Sequence, residues 1–89
     1  MTYAVRFAAT ARRQLSDRLP EAVAVAAFAF IQGPLAENPR RVGKQLTAPL
    51  DDRWSARRGT YRIIYRIDEE SREVTIVAIG PRSDNYRSP

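Results

Sequence analysis

Apolar and polar residues alternate from Thr2 to Phe7, with Tyr3, Val5 and Phe7 on one side and Ala4 and Arg6 on the other. That two-residue period predicts a short, half-buried strand. The period then lengthens. Between Thr10 and about Leu19, Leu15 and Leu19 recur on one side while Arg12, Arg13 and Arg18 point away, which predicts a helix capped by the Thr10 hydroxyl. Pro20 suits the first position of a second helix, Glu21 complements its positive end, and Val23, Ala27, Phe28 and Ile31 make an apolar stripe expected in the core. Gly33-Pro34 is expected to stop that helix.

From Leu35 to Leu50 the punctuation Asn38-Pro39, Gly43 and Pro49 predicts a connecting loop with one helical turn near Ala36, and Arg40, Arg41 and Lys44 read as its solvated surface. Three β-like runs follow, Arg53 to Arg58, Tyr61 to Asp68 and Glu73 to Gly80, separated by Gly59-Thr60 and by the charged turn Glu69-Glu70-Ser71-Arg72. Short separators of this kind join antiparallel hairpins. The expected fold is therefore α+β: an N-terminal strand, then two helices packed on one face of a small, mainly antiparallel sheet completed by a three-stranded meander, in a single domain spanning residues 1–89.

Composition narrows the chemistry. The chain has 89 residues with neither cysteine nor histidine, so thiolate metal sites, Ser-His and Cys-His nucleophile pairs and histidine bases are excluded. No metal or cofactor is expected. A secretory signal is not seen, and no run approaches the ~20 apolar residues of a membrane span, so a cytoplasmic protein with no membrane partner is expected. The formal charge is +5, and of 15 basic residues only Lys44 is a lysine. Planar guanidinium groups match phosphate geometry, and a basic chain suits a nucleic-acid partner.

The position of the arginines says more than their number. If Gly59-Thr60 is a two-residue turn, Arg58 pairs with Tyr61, Arg57 with Arg62, Ala56 with Ile63, Ser55 with Ile64 and Trp54 with Tyr65. Trp54, Ala56, Tyr61, Ile63, Tyr65 and Ile67 then share the face that seats the helices, and Arg53, Ser55, Arg57, Arg62, Ile64 and Arg66 share the other. Like charges opposite one another weaken a ladder, so the Arg57–Arg62 pair gains nothing for the fold. A polyanion bound there would offset the repulsion. Past the third meander strand, Gly80-Pro81 lets the chain turn back over the sheet, bringing Arg82 and Tyr86 with it.

The run Trp54 to Ile67, followed by Val74 to Ile79 and by Gly80-Pro81-Arg82-Ser83-Asp84-Asn85-Tyr86, resembles the core signature of the RelE toxins of the RelE/ParE toxin–antitoxin superfamily. Asn38-Pro39, Gly43-Lys44 and Leu46 to Leu50 extend the resemblance over nearly the whole chain. It implies a ribosome-dependent endoribonuclease that cuts messenger RNA in the decoding site. It further implies a cognate, RelB-like antitoxin that neutralises the toxin and, with it, contacts operator DNA to repress their operon. Carried over by position, Arg57, Arg62, Arg82 and Tyr86 fall on catalytic positions, while Lys44, Arg53, Ser55 and Arg58 are expected to contact RNA. Ser55 stands where many relatives have a basic residue, and Pro81 where many have histidine. A ParE-like gyrase inhibitor and a non-enzymatic nucleic-acid-binding module are the alternative readings.

Overall fold

The structure is a computed structural model that describes residues 2–81. Strand β1 (Ala4–Phe7) leads into helix α1 (Ala9–Arg13), which widens into a π-helical turn over Gln14–Arg18. Helix α2 (Glu21–Phe30) follows and widens in the same way over Ile31–Leu35. A one-turn helix α3 (Pro39–Val42) and a two-residue strand β2 (Lys44–Gln45) precede the meander of β3 (Trp54–Arg58), β4 (Tyr61–Asp68) and β5 (Glu73–Pro81). The five strands lie in the order β1-β5-β4-β3-β2, with β1 parallel to β5 and every other pair antiparallel.

The expected α+β arrangement and the predicted β3–β4 register are both present. Gly59 has φ +60 at the first central position of the two-residue turn and Thr60 does not, the signature of a type II′ hairpin that only glycine enters without strain. Alternation then places Ala56, Tyr61, Ile63 and Tyr65 inward, against Ala11, Ala27, Phe30, Ile31 and Leu35 of the helices. In β5 a single bulge changes the parity. Ile64 pairs with Ala78 but Tyr65 pairs with Ile76, so Val77 is the extra residue. Val74, Ile76 and Ile79 consequently all reach the core, which an unbroken period of two would not allow. Beyond the end of β1 the Ile79 amide has no neighbouring strand, and it donates instead to the Gln14 side-chain oxygen at 2.6 Å.

Five local expectations are corrected. Thr10 lies inside α1, whose cap position is Ala8, so its hydroxyl caps nothing. Pro20 is the cap of α2 rather than its first residue, its carbonyl accepting from the Ala24 amide at 2.9 Å. Gly33-Pro34 does not end the helix, because the wider turn, with the Ala36 amide reaching the Ile31 carbonyl, accommodates a residue that has no N–H to donate. Phe28 is not core: it is 47% exposed, stacked on the half-buried Phe7 ring at 6.0 Å, and Phe30 fills the position expected of it. The stretch from Leu35 to Leu50 is also more ordered than a loop, since Leu35 and Ala36 are buried and α3 and β2 lie within it.

Candidate nucleic-acid interface

With the helices on one face, the other face of β3 and β4 is left to the arginine side. Two rows cross it. Arg57 faces Arg62, which faces Gly80, and Lys44 faces Ser55, which faces Ile64 and then Ala78. Ile64, on the same face, is buried. Beside these rows a cleft of about 600 Å³ opens between the sheet and the segment from Arg41 to Thr47, with Ser55, Arg57 and Arg62 completing its lining. Among the described residues, four cationic groups, Arg41, Lys44, Arg57 and Arg62, line the cleft and no acidic side chain does.

The segment that forms the outer side of the cleft is set by contacts on the opposite side of the sheet. Tyr65 is fully buried in the core, and its hydroxyl donates to the carbonyl of Pro39, the first residue of α3. Burial raises the Tyr65 pKa well above the usual phenol value, so it stays a proton donor throughout the accessible pH range. Four residues on, Gly43 passes directly over the same hydroxyl, where a side chain would collide with Tyr65 and with the Ser55 carbonyl. The backbone angle there, φ -135, is ordinary extended geometry; glycine is required for the close approach alone.

Of the residues expected to serve the site, Lys44, Ser55, Arg57 and Arg62 line one cleft. Arg53 and Arg58 do not. Arg53 precedes β3 and lies 3.8 Å from Asp52, and Arg58 shares the helix side with Tyr61, its guanidinium 5.0 Å above the Phe30 ring. Arg82 and Tyr86 lie outside the described residues. Arg41, expected on the solvated surface of a loop, lines the cleft as well, because the stretch Pro39–Val42 is helical. The signal was present: Asn38-Pro39 followed by Gly43 is the proline-in, glycine-out punctuation of a short helix. Successive helical residues project about 100° apart. Arg40 therefore turns to Glu69, with Nη2 2.7 Å from the carboxylate, while Arg41 turns into the cleft.

A row of guanidinium and ammonium groups along one cleft is suited to phosphate, since each N–H is a charge-assisted donor to a phosphate oxygen. On the helix side a second opening, of about 520 Å³ and almost wholly apolar, runs between α1 and α2 past Leu15, Val25 and Phe28, with Arg12 on its border. Val25 and Phe28 are 63% and 47% exposed, the large apolar side chains left uncovered among the described residues.

Comparison with known proteins gives a consistent picture. The family described as ParE toxin of type II toxin–antitoxin systems, parDE, matches residues 2–86. The chain is 48% identical over 87 residues to Toxin RelG of Mycobacterium tuberculosis, covering 98% of this chain and 99% of that protein. It is also 48% identical over 85 residues to Toxin RelE of the same organism, covering 96% of this chain and 87% of that one. Among solved structures, the RelBE2 toxin–antitoxin complex of Mycobacterium tuberculosis contains a chain that superposes with a TM-score of 0.87 at 46% identity, covering 92% of this chain and 100% of the other. The isolated E. coli RelE toxin shares the fold at 20% identity, with a TM-score of 0.75 over 94% of this chain and 88% of the other.

Proposed function

The chain belongs to the ParE toxin family of type II toxin–antitoxin systems and is a RelE-like toxin, and from that premise we propose that it is a ribosome-dependent endoribonuclease that cuts messenger RNA in the decoding site. The observation that carries the proposal is the cleft facing away from the helices, with four cations and no acid among its described residues.

RNA brings its own nucleophile, the 2′-hydroxyl. Its oxygen attacks the adjacent phosphorus, the 2′-O–P bond forms, the P–O5′ bond breaks, and the products carry a 2′,3′-cyclic phosphate and a 5′-hydroxyl. One proton leaves the 2′-oxygen and one arrives on the 5′-oxygen. Arg57 and Arg62, directly opposite in the β3–β4 ladder, hold the non-bridging oxygens whose charge grows in the phosphorane. Lys44 and Arg41 hold neighbouring phosphates and keep the strand in register, with Ser55 leaving room beside Lys44. Arg82 supports the leaving oxygen, while Tyr86 stacks on a base and, once the cationic cluster favours its phenolate, takes the 2′-proton; water supplies the proton that reaches the 5′-oxygen. Guanidinium groups are poor proton donors, so the rate depends on in-line positioning, which can lower a barrier by about 7–11 kcal/mol. The ribosome supplies that alignment.

The partner is a RelB-like antitoxin. Its helix, apolar on one side and acidic on the border, fits the open groove of Leu15, Val25 and Phe28 beside Arg12, and an acidic segment of it covers the arginine cleft. Toxin and antitoxin together repress their operon in the cytoplasm. Primer extension on translated message in cells making this chain, beside a Tyr86→Ala variant, tests the reading. Codon-phased cuts that disappear in the variant support it; an uncut message in cells whose growth is arrested overturns it.

A further inference from the structure

A helix of one turn does not hold its own position, because the cost of nucleating it is never recovered over four residues. The orientation of α3 is therefore set by what its side chains and termini touch, and on its outer side one carboxylate makes that contact. Glu69, in the turn after β4, is not among the residues that line the cleft. Its Oε2 accepts from Arg40 Nε at 2.9 Å and lies 2.7 Å from Arg40 Nη2. The Tyr3 hydroxyl donates to both carboxylate oxygens, at 2.8 and 3.0 Å, and Arg72 Nη1 is 3.9 Å away. The Arg40 guanidinium also lies 5.5 Å from the Trp54 ring, and that of Arg72 lies 4.8 Å from Tyr3. One carboxylate thus joins the segment before β1, helix α3 and the β4–β5 turn. The hydrogen bonds from Tyr3 and Arg40 hold its pKa below the usual carboxylate value, so it is fully charged at neutral pH.

We infer that Glu69 is a positioning residue for the cleft: by holding Arg40 it fixes the rotation of α3, and with it the placement of Arg41 and Lys44 on the phosphate side. The inference rests on the proposed reading of the cleft for its functional consequence, and on the contacts alone for its structural one. Arg40 and Arg41 are adjacent, so a rotation that releases one displaces the other, and Gly43 transmits the same movement to Lys44 in β2. The Tyr65–Pro39 hydrogen bond fixes where α3 begins and Val42 packs on the core, while the Arg40–Glu69 pair, with Arg40 over the Trp54 ring, holds the outer side of α3 against turning.

Glu69→Gln tests this without opening the core. An amide keeps one acceptor but turns N–H groups toward partners that are themselves donors. Amide exchange followed by NMR should show Arg41 and Val42, whose amides donate to the Asn38 carbonyl at 3.0 and 3.2 Å, exchanging roughly three- to ten-fold faster in the variant, with Ile63 and Ile76 unchanged. Arg40→Gln should reproduce the pattern, and the double variant should add nothing to it. Unchanged exchange at Arg41 and Val42 overturns the inference. In a cleavage assay on ribosome-bound message, Glu69→Gln should lower kcat/KM by roughly the same factor, and should cost nothing further in an Arg41→Ala, Lys44→Ala background. A loss of full size in that background also overturns it. Failure of the unaltered chain to cleave any message would count against the proposed function alone, since the exchange rates decide the positioning role independently.

Discussion

A methyl group at position 43 would overlap the Tyr65 hydroxyl and stand 2.9 Å from the Ser55 carbonyl oxygen and 3.1 Å from Tyr65 Cζ. Neither neighbour gives way cheaply: one is strand backbone and the other a ring with no exposed surface. Forcing extra volume into such a site costs about 1–3 kcal/mol. Driving the Tyr65 hydroxyl off the Pro39 carbonyl leaves a buried donor unpaired, at about 1–3 kcal/mol more. One displacement relieves part of both, so the expected total for Gly43→Ala is about 2–4 kcal/mol. An opposing effect exists, since alanine restricts the unfolded chain and φ -135 suits it, but that gain is only about 0.4–1 kcal/mol. The clash wins. Domains have about 0.05–0.15 kcal/mol of stability per residue, so the variant should fold with a substantially reduced margin. Urea unfolding followed by fluorescence of Trp54, the sole tryptophan, measures it. Adding Tyr65→Phe removes the oxygen that the methyl strikes, so the double variant should be more stable than the sum of the two single losses predicts. A Gly43→Ala chain as stable as the original, or strict additivity in the cycle, would refute the packing argument for how the cleft is held.

Further expectations concern the cleft, the groove and the buried tyrosine. Arg57→Ala should weaken binding to single-stranded RNA about equally for all sequences and reduce the slope of log affinity against log salt by about 0.7, as for one lost phosphate contact; an unchanged slope would place Arg57 outside the phosphate path. Phe28→Asp should weaken antitoxin binding at least ten-fold in calorimetry while thermal stability changes little, because Phe28 is half exposed; unaltered affinity would move the antitoxin elsewhere. Tyr65 holds its proton more tightly folded than unfolded, so its contribution to stability is fully present below about pH 10 and is lost as pH rises beyond that. Unfolding measured from pH 9 to 12 should therefore decline less steeply in Tyr65→Phe than in the original chain. In a DNA supercoiling assay the chain should leave gyrase active; inhibition at stoichiometric concentration would favour the ParE-like alternative.

The meander was legible because its local rules agree with one another. Gly59 fixed the turn, the turn fixed the register, and the register sorted arginines from core residues with no reference to the rest of the chain. What sequence pattern missed depends on tertiary contact. The bulge at Val77 shows only once β4 lies beside β5. Phe28 and Phe30 sit in an alanine-rich helix apolar nearly all round, so the stripe alone does not choose which of them faces the sheet. Pro34 and Gly33 are normally helix stops, and a π-helical turn overrides them without leaving a periodic signature. Likewise Arg40, Arg41, Arg53 and Arg58 have the same chemistry in sequence. Only their neighbours, Glu69, the cleft, Asp52 and Phe30, separate a structural cation from one free to meet a ligand.

The central claim, that the paired arginines hold a phosphate while its own 2′-hydroxyl attacks it, is tested most directly by ribosome-bound message carrying a single 2′-deoxynucleotide on the 5′ side of the cut. Cleavage should stop at that position, while unmodified message yields a 2′,3′-cyclic phosphate end, and Arg62→Ala should abolish the cyclic product with the ribosome still bound. Cleavage that continues through the deoxynucleotide, or proceeds undiminished without Arg62, would contradict the account.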